Sequence, residues 1–128
     1  MNRTLRITAA ALTAALVAVP ALPAVAKDGD VIRRGNCSGS TDWKLKAKPD
    51  DGRLEVEWEV DSNRVGQTWT WTIRHDGVLK ASGTRTTLAP SGSFSVERRI
   101  ADAAGVHRIT GYAKNAATGE ICRGSLWI

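Results

Sequence analysis

From Trp43 onward, apolar and polar side chains alternate with a period of two. Trp43, Leu45 and Ala47 alternate with Lys44, Lys46 and Lys48, and after Pro49-Asp50-Asp51-Gly52 the residues Leu54, Val56, Trp58 and Val60 alternate with Arg53, Glu55, Glu57 and Glu59. Successive side chains of a strand point to opposite faces, so this pattern predicts two half-buried strands. The Pro/Asp/Gly cluster between them predicts the turn. Folding about that four-residue turn sets Lys46 opposite Glu55 and Lys44 opposite Glu57. On the other face Leu45 then meets Val56, and Trp43 meets Trp58. One register satisfies both faces, as an antiparallel pair with one buried side requires.

The same alternation continues to the end of the chain. Asp61 to Gly66 reads as a loop. Trp69, Trp71 and Ile73 then alternate with Thr68, Thr70, Thr72 and Arg74. His75-Asp76-Gly77 suits a three-residue hairpin loop, which would set Ile73 opposite Leu79 and Trp71 opposite Ala81. A break at Ala89-Pro90-Ser91-Gly92 precedes a strand marked by Phe94, Val96 and Ile100. His107, Ile109, Gly111 and Ala113 mark the next, and Ile121 to Ile128 closes the chain after a turn at Asn115 to Gly119. Seven strands with turns at near-regular spacing and no helical pattern predict an all-β antiparallel sandwich over residues 41–128. Residues 27–40 read as an N-terminal extension, either a tail or a short strand at Val31 to Arg34.

Composition then sets the compartment. Arg3 and Arg6 precede an apolar run from Ile7 to Val19, and Ala24-Val25-Ala26 is a small-x-small cleavage pattern. Residues 1–26 therefore read as a secretory signal peptide, cleaved after Ala26. The apolar run is about 13 residues, short of the roughly 20 that span a bilayer, so no stable membrane insertion is expected after cleavage. The two cysteines, Cys37 and Cys122, read as one disulfide of a secreted, extracellular protein. It would close most of the mature chain into a loop, worth about 4–5 kcal/mol by loop entropy. The chain carries 18 Lys+Arg against 13 Asp+Glu, a formal net charge of +5. Part of that excess, Arg3 and Arg6, leaves with the leader. Lysines and glutamates interleave along the chain, so nucleic acid is not an expected partner.

The strand order, with Trp71 in the third strand of this reading, resembles an immunoglobulin-like or fibronectin type III-like sandwich. Asp102-x-x-Gly105-x-His107-x-Ile109 is similar to the Asp-x-Gly-x-Tyr corner of such domains, with His107 where the family carries Tyr. Gly35-Asn36-Cys37-Ser38-Gly39 with Trp43-Lys44-Leu45-Lys46, then Asn63-Arg64-Val65-Gly66-Gln67, resembles small secreted actinobacterial proteins of unknown function. That likeness covers most of the mature chain and implies fold and compartment. Over a shorter stretch, Asn63-x-x-Gly66-Gln67-Thr68-Trp69-Thr70-Trp71-Thr72 followed by Gly77 resembles bacterial cellulose-binding sandwich modules. Of the further Trp positions such modules use, the second half of this chain holds Trp127 alone.

No catalytic constellation emerges. His75 and Asp76 are neighbours without a nucleophile or a third orienting group. Glu55, Glu57 and Glu59 project along one strand toward lysines. His75 and His107 show no metal-ligand spacing, and no phosphate loop, zinc motif or nucleophile elbow is present. The chain is expected to be a non-catalytic binding or interaction module, without cofactor or metal. Its partner would be an extracellular protein or polysaccharide. A carbohydrate-binding module and a secreted enzyme inhibitor are the alternatives. In a fibronectin-like layout one sheet turns Thr70, Arg108, Tyr112, Arg123 and Trp127 outward, with Tyr112 opposite Arg123 and Trp127 opposite Arg108. That face is a candidate for polysaccharide or for an acidic surface. Asn63, Arg64 and Thr118 are candidate contacts on loops expected to gather at one pole.

Overall fold

The alternating segments form strands because each buries one face and leaves the other wet. The computed structural model describes residues 29–128, so the reading of residues 1–26 as a signal peptide lies outside the described residues. Eight strands follow in order: β1 (Val31–Asn36), β2 (Asp42–Asp50), β3 (Arg53–Asp61), β4 (Thr68–His75), β5 (Val78–Thr86), β6 (Ser93–Ala101), β7 (Arg108–Asn115) and β8 (Ile121–Trp127). All pairings are antiparallel. Sheet A has the order β1-β2-β3-β6 and sheet B the order β5-β4-β7-β8. No helix among the described residues is long and apolar enough to cross a membrane.

The extension at 27–40 is not a tail. Val31 to Asn36 pair with β2 from Val31↔Ala47 to Asn36↔Asp42, which makes an eighth strand at the edge of sheet A. Cys37, at its end, is bonded to Cys122 of β8 across a sequence separation of 85. The bond therefore ties the edge strands of the two sheets on one side of the sandwich.

Two predicted registers are corrected. In the β2–β3 hairpin Lys46 faces Glu57, Lys44 faces Glu59, Leu45 faces Trp58 and Trp43 faces Val60. The turn is the two-residue Asp51-Gly52, both at positive φ (54° and 76°), which matches the right-handed twist of the strands it joins. Pro49 and Asp50 are strand residues, so the pairing slips by two and every side chain keeps its face. The β4–β5 turn is likewise the two-residue Asp76-Gly77 (φ 48° and 82°). His75 pairs with Val78, and a bulge after Ile73 brings that residue opposite Ala81 and Trp71 opposite Gly83.

Between the sheets lie Leu45, Leu54, Val56, Trp58, Val60, Phe94, Val96 and Ile100 from sheet A, facing Trp69, Trp71, Ile73, Ile109, Ala113, Cys122 and Leu126 from sheet B, all buried. The large indoles need room, and glycines supply it. A Cβ at Gly111 would lie 2.5 Å from the Trp58 ring, one at Gly35 2.6 Å from Trp43, and one at Gly83 3.0 Å from Trp71. Trp43 and Trp58 pack with their rings tilted, 5.7 Å between centroids. At the opposite side of the sandwich Arg98 of β6 turns inward and covers Trp71, its guanidinium 5.0 Å from the ring centroid. An inward charge at a sheet edge discourages further strand pairing there.

Candidate binding face and the two poles

Sheet B carries the residues the sequence singled out. Its outward positions run Thr68, Thr70, Thr72, Arg74 on β4, Arg108, Thr110, Tyr112, Lys114 on β7, and Ile121, Arg123, Ser125, Trp127 on β8. The register places Tyr112 between Thr72 and Arg123, and Arg108 opposite Trp127. Thr70 lies between Thr84 and Lys114. All five candidate face residues thus share one surface. The Arg123 guanidinium rests over the Tyr112 ring at 5.5 Å, which shields that ring. Trp127 is 60% exposed and its indole face is open. Arg108 Nε donates to Thr110 Oγ1 at 3.3 Å, and Thr110 and Ser125 hydroxyls lie 3.2 Å apart. Thr110 therefore holds the Arg108 side chain along the strand.

The charge distribution was not foreseen. The interleaving of lysine and glutamate is confined to sheet A. The four strands of sheet B contain Arg74, Lys80, Arg85, Arg108, Lys114 and Arg123, and no Asp or Glu. On sheet A, Lys44 pairs with Glu57 at 2.8 Å and Glu59 at 3.9 Å, Lys46 with Asp30 at 3.3 Å, and Arg99 with Asp50. Among the described residues no Lys or Arg of sheet B has such a partner. The outcome is a sandwich with one neutralised face and one uncompensated basic face.

The loops at 61–67, 87–92 and 115–120 meet at one pole. Ser62 N donates to Gly92 O at 3.1 Å, Gly66 N to Thr87 O at 2.9 Å, and Thr87 Oγ1 to Arg64 O at 2.5 Å. A polar cleft of about 390 Å³ opens there, and Arg64 and Thr118 line it with Ser38, Thr41, Gln67 and Glu120. Asn63 is outside that lining. It adopts φ 57° and its N–H donates to Asp61 Oδ1 at 3.0 Å, so its role is in the turn. Glu120 accepts from Thr41 N and Thr41 Oγ1 at 3.1 and 2.6 Å, and Thr118 Oγ1 accepts from Glu120 N at 3.2 Å. The cleft walls are thus largely bonded to one another.

The opposite pole brings the two histidines together. His75 and His107, without ligand spacing in the sequence, stack at 4.8 Å between ring centroids. The β4–β7 pairing does this by setting His75 opposite Ile109. Asp76 joins them, its Oδ2 2.5 Å from His107 Nδ1 and 3.9 Å from His75 Nδ1. The backbone N–H of Arg108 and then His107 hold the Asp76 carboxyl below the usual carboxylate range. His107 Nε2 lies 2.8 Å from Ala104 O, a bond to the backbone three residues upstream.

Compared with protein-family models, with curated proteins and with solved structures, the chain matches none.

Proposed function

We propose that this chain is a secreted, non-catalytic binding module that holds an anionic polysaccharide across the outer face of sheet B. One observation carries the reading: Arg74, Arg108, Lys114 and Arg123 share the outward side of adjoining strands that carry no carboxylate, whereas Arg85, opposite buried Trp69, lies on the inward side. Exposed charges attract a polyanion over roughly 8 Å at physiological salt, so a cluster of them acts together where a single one would be screened. The hydroxyls of Thr70, Thr72, Thr110 and Ser125 lie between the cations and suit hydrogen bonding to sugar hydroxyls. The open indole of Trp127 beside Arg108 suits stacking on a sugar ring. A fibronectin type III-like identity for the sandwich is part of this proposal. It is supported by β4, β5, β7 and β8 sharing one sheet and by the His107–Ala104 bond, which resembles the corner bond such domains make with Tyr. The disulfide is consistent with an extracellular location.

Affinity electrophoresis through polygalacturonate tests the reading, with neutral cellulose derivatives as the control. Retardation is expected in the anionic gel alone, and it falls as salt rises. Reversing Arg108 and Arg123 to Glu weakens retention at least tenfold, and Trp127→Ala weakens it further. Lys46→Glu on sheet A leaves it unchanged. Equal retardation in the neutral gel, or indifference to the Arg108/Arg123 reversal, refutes the proposal.

A further inference from the structure

The side-chain cluster at the far pole carries sharper chemistry than the polar cleft, the basic face or the open β5 edge. Three residues converge there: His75, His107 and Asp76 each offer one ligand atom, all within 4.8 Å of one another, and Asp76 Oδ2 faces Nδ1 of both rings. We propose that they form a binding site for a borderline divalent cation of the zinc type, separate from the basic sheet face.

Backbone pairing positions all three. His75 ends β4, bonded into the ladder opposite Val78 and Ile109. Asp76 N donates to Arg108 O at 2.8 Å, and Asp76 Oδ1 accepts from Arg108 N at 2.9 Å. The carboxylate is therefore clamped through one oxygen with the other directed at the rings. His107 exchanges two backbone bonds with the chain's last residue, N to Ile128 O at 2.7 Å and Ile128 N to its own O at 3.0 Å. Its ring is also oriented: a carbonyl oxygen only accepts, so the 2.8 Å contact with Ala104 O places a proton on Nε2. Metal-ligating imidazoles commonly donate their second nitrogen to a carbonyl in this way, which aims the first at the ion.

The fit is close to what the ion needs. Tetrahedral zinc holds N and O ligands at about 2.0–2.2 Å, which sets ligand atoms roughly 3.3 Å apart. The observed 2.5 Å and 3.9 Å separations from Asp76 Oδ2 lie on either side of that value. Side-chain rotations that move these donor atoms by less than about 1 Å bring both carboxylate–imidazole separations to that value. The cation takes the place of the proton shared between His107 Nδ1 and Asp76 Oδ2, and that proton leaves to solvent. Two imidazoles and one carboxylate favour zinc, nickel or copper over magnesium and calcium, which take oxygen ligands. Asp76 is exposed, so the fourth position opens to water.

Isothermal titration of the purified protein with zinc chloride, in a buffer that does not chelate, tests the proposal alongside NMR of the two imidazoles. One zinc per chain is expected, with the ring resonances of both His75 and His107 shifting together. Magnesium chloride at the same concentration gives neither heat nor shift. His75→Gln and Asp76→Asn each weaken zinc affinity at least tenfold. The NMR readout on the unaltered chain decides the matter even where a variant folds poorly. Zinc binding that leaves either ring unshifted, or no binding at millimolar zinc, overturns the site. Loss of the zinc site leaves polygalacturonate retention untouched, so the two proposals fail separately.

Discussion

Gly111→Ala is the most direct test of how this core is packed. Gly111 sits in β7, paired on one side with Ile73 and on the other with Gly124. The added methyl would lie 2.5 Å from Cδ2 and Cε3 of Trp58. Carbon atoms in contact prefer about 3.5–4.0 Å, so something must retreat by roughly 1 Å. β7 is held between β4 and β8, and Trp58 is fully buried on β3 between β2 and β6. Neither yields easily. Overpacking of this kind costs about 1–3 kcal/mol. Replacing a strand glycine with alanine returns about 0.5–1 kcal/mol of backbone entropy. Because neither side yields, the overpacking cost falls in the upper half of that range, and the net loss is about 1–2.5 kcal/mol, or a fall in Tm on the order of 5–20 °C for a domain this size. Urea unfolding followed by tryptophan fluorescence measures it. Trp58→Phe supplies the second arm. The Trp58 Nε1 has no hydrogen-bond partner, so that change removes volume and no bond. In the Trp58→Phe background Gly111→Ala should cost less than half as much, a coupling that only direct contact produces. Gly83→Ala, on an exposed edge strand with its nearest ring atom at 3.0 Å, stays within about 0.5 kcal/mol of the parent chain. A midpoint that is unchanged or higher in Gly111→Ala, or a zero coupling, refutes the steric account.

Two further predictions concern the staple and the paired face. Reducing the Cys37–Cys122 bond, or changing both residues to Ser, should cost about 2–5 kcal/mol and lower Tm by well over ten degrees; thermal melts with and without reductant check it, and an unaltered Tm contradicts it. Lys44 titrates above its usual 10.5, chiefly because Glu57 accepts from its ammonium. Its contribution is therefore complete below pH 10.5 and disappears as pH rises through the raised folded-state value. Lys44→Met should flatten the alkaline decline in urea midpoint by at most about 1 kcal/mol, and an identical decline in both proteins counts against the pair.

The faces of the strands were readable from the sequence more securely than their registers. A period of two assigns Leu45, Val56 and Trp58 to the interior whichever of two registers the hairpin takes, because the two differ by an even slip. The register itself rests on turn chemistry. Pro49 looked like part of the turn, yet it pairs with Leu54 within the hairpin. It is tolerated because β1 begins only at Val31, opposite Ala47, so no strand on that side calls for its missing N–H. The signal that decides is Asp51-Gly52, whose positive φ angles close the hairpin in two residues. β1 escaped firm assignment for a related reason. Its residues Ile32, Arg33 and Arg34 are exposed, and an edge strand held by a disulfide and one neighbour has little alternation to show.

The two surfaces with chemistry were harder to read because topology, not local sequence, assembles them. Charge summed along the chain looks balanced, since the acids concentrate in β2 and β3 and offset the bases nearby. Only when the chain crosses between sheets after β3, β5 and β6 do Arg74, Arg108, Lys114 and Arg123 come to share a face without a carboxylate. The correct pairing of Tyr112 with Arg123 and of Arg108 with Trp127 was obtained from a hairpin, where sequence neighbours become spatial ones. His75 and His107 belong to strands that pair without being consecutive, so no spacing rule could join them. A usable signal did exist. Placing β4 beside β7 in a fibronectin-like layout puts the Asp76 turn against the residue at the corner position, His107. The β4–β7 register brings both histidines and Asp76 to one point.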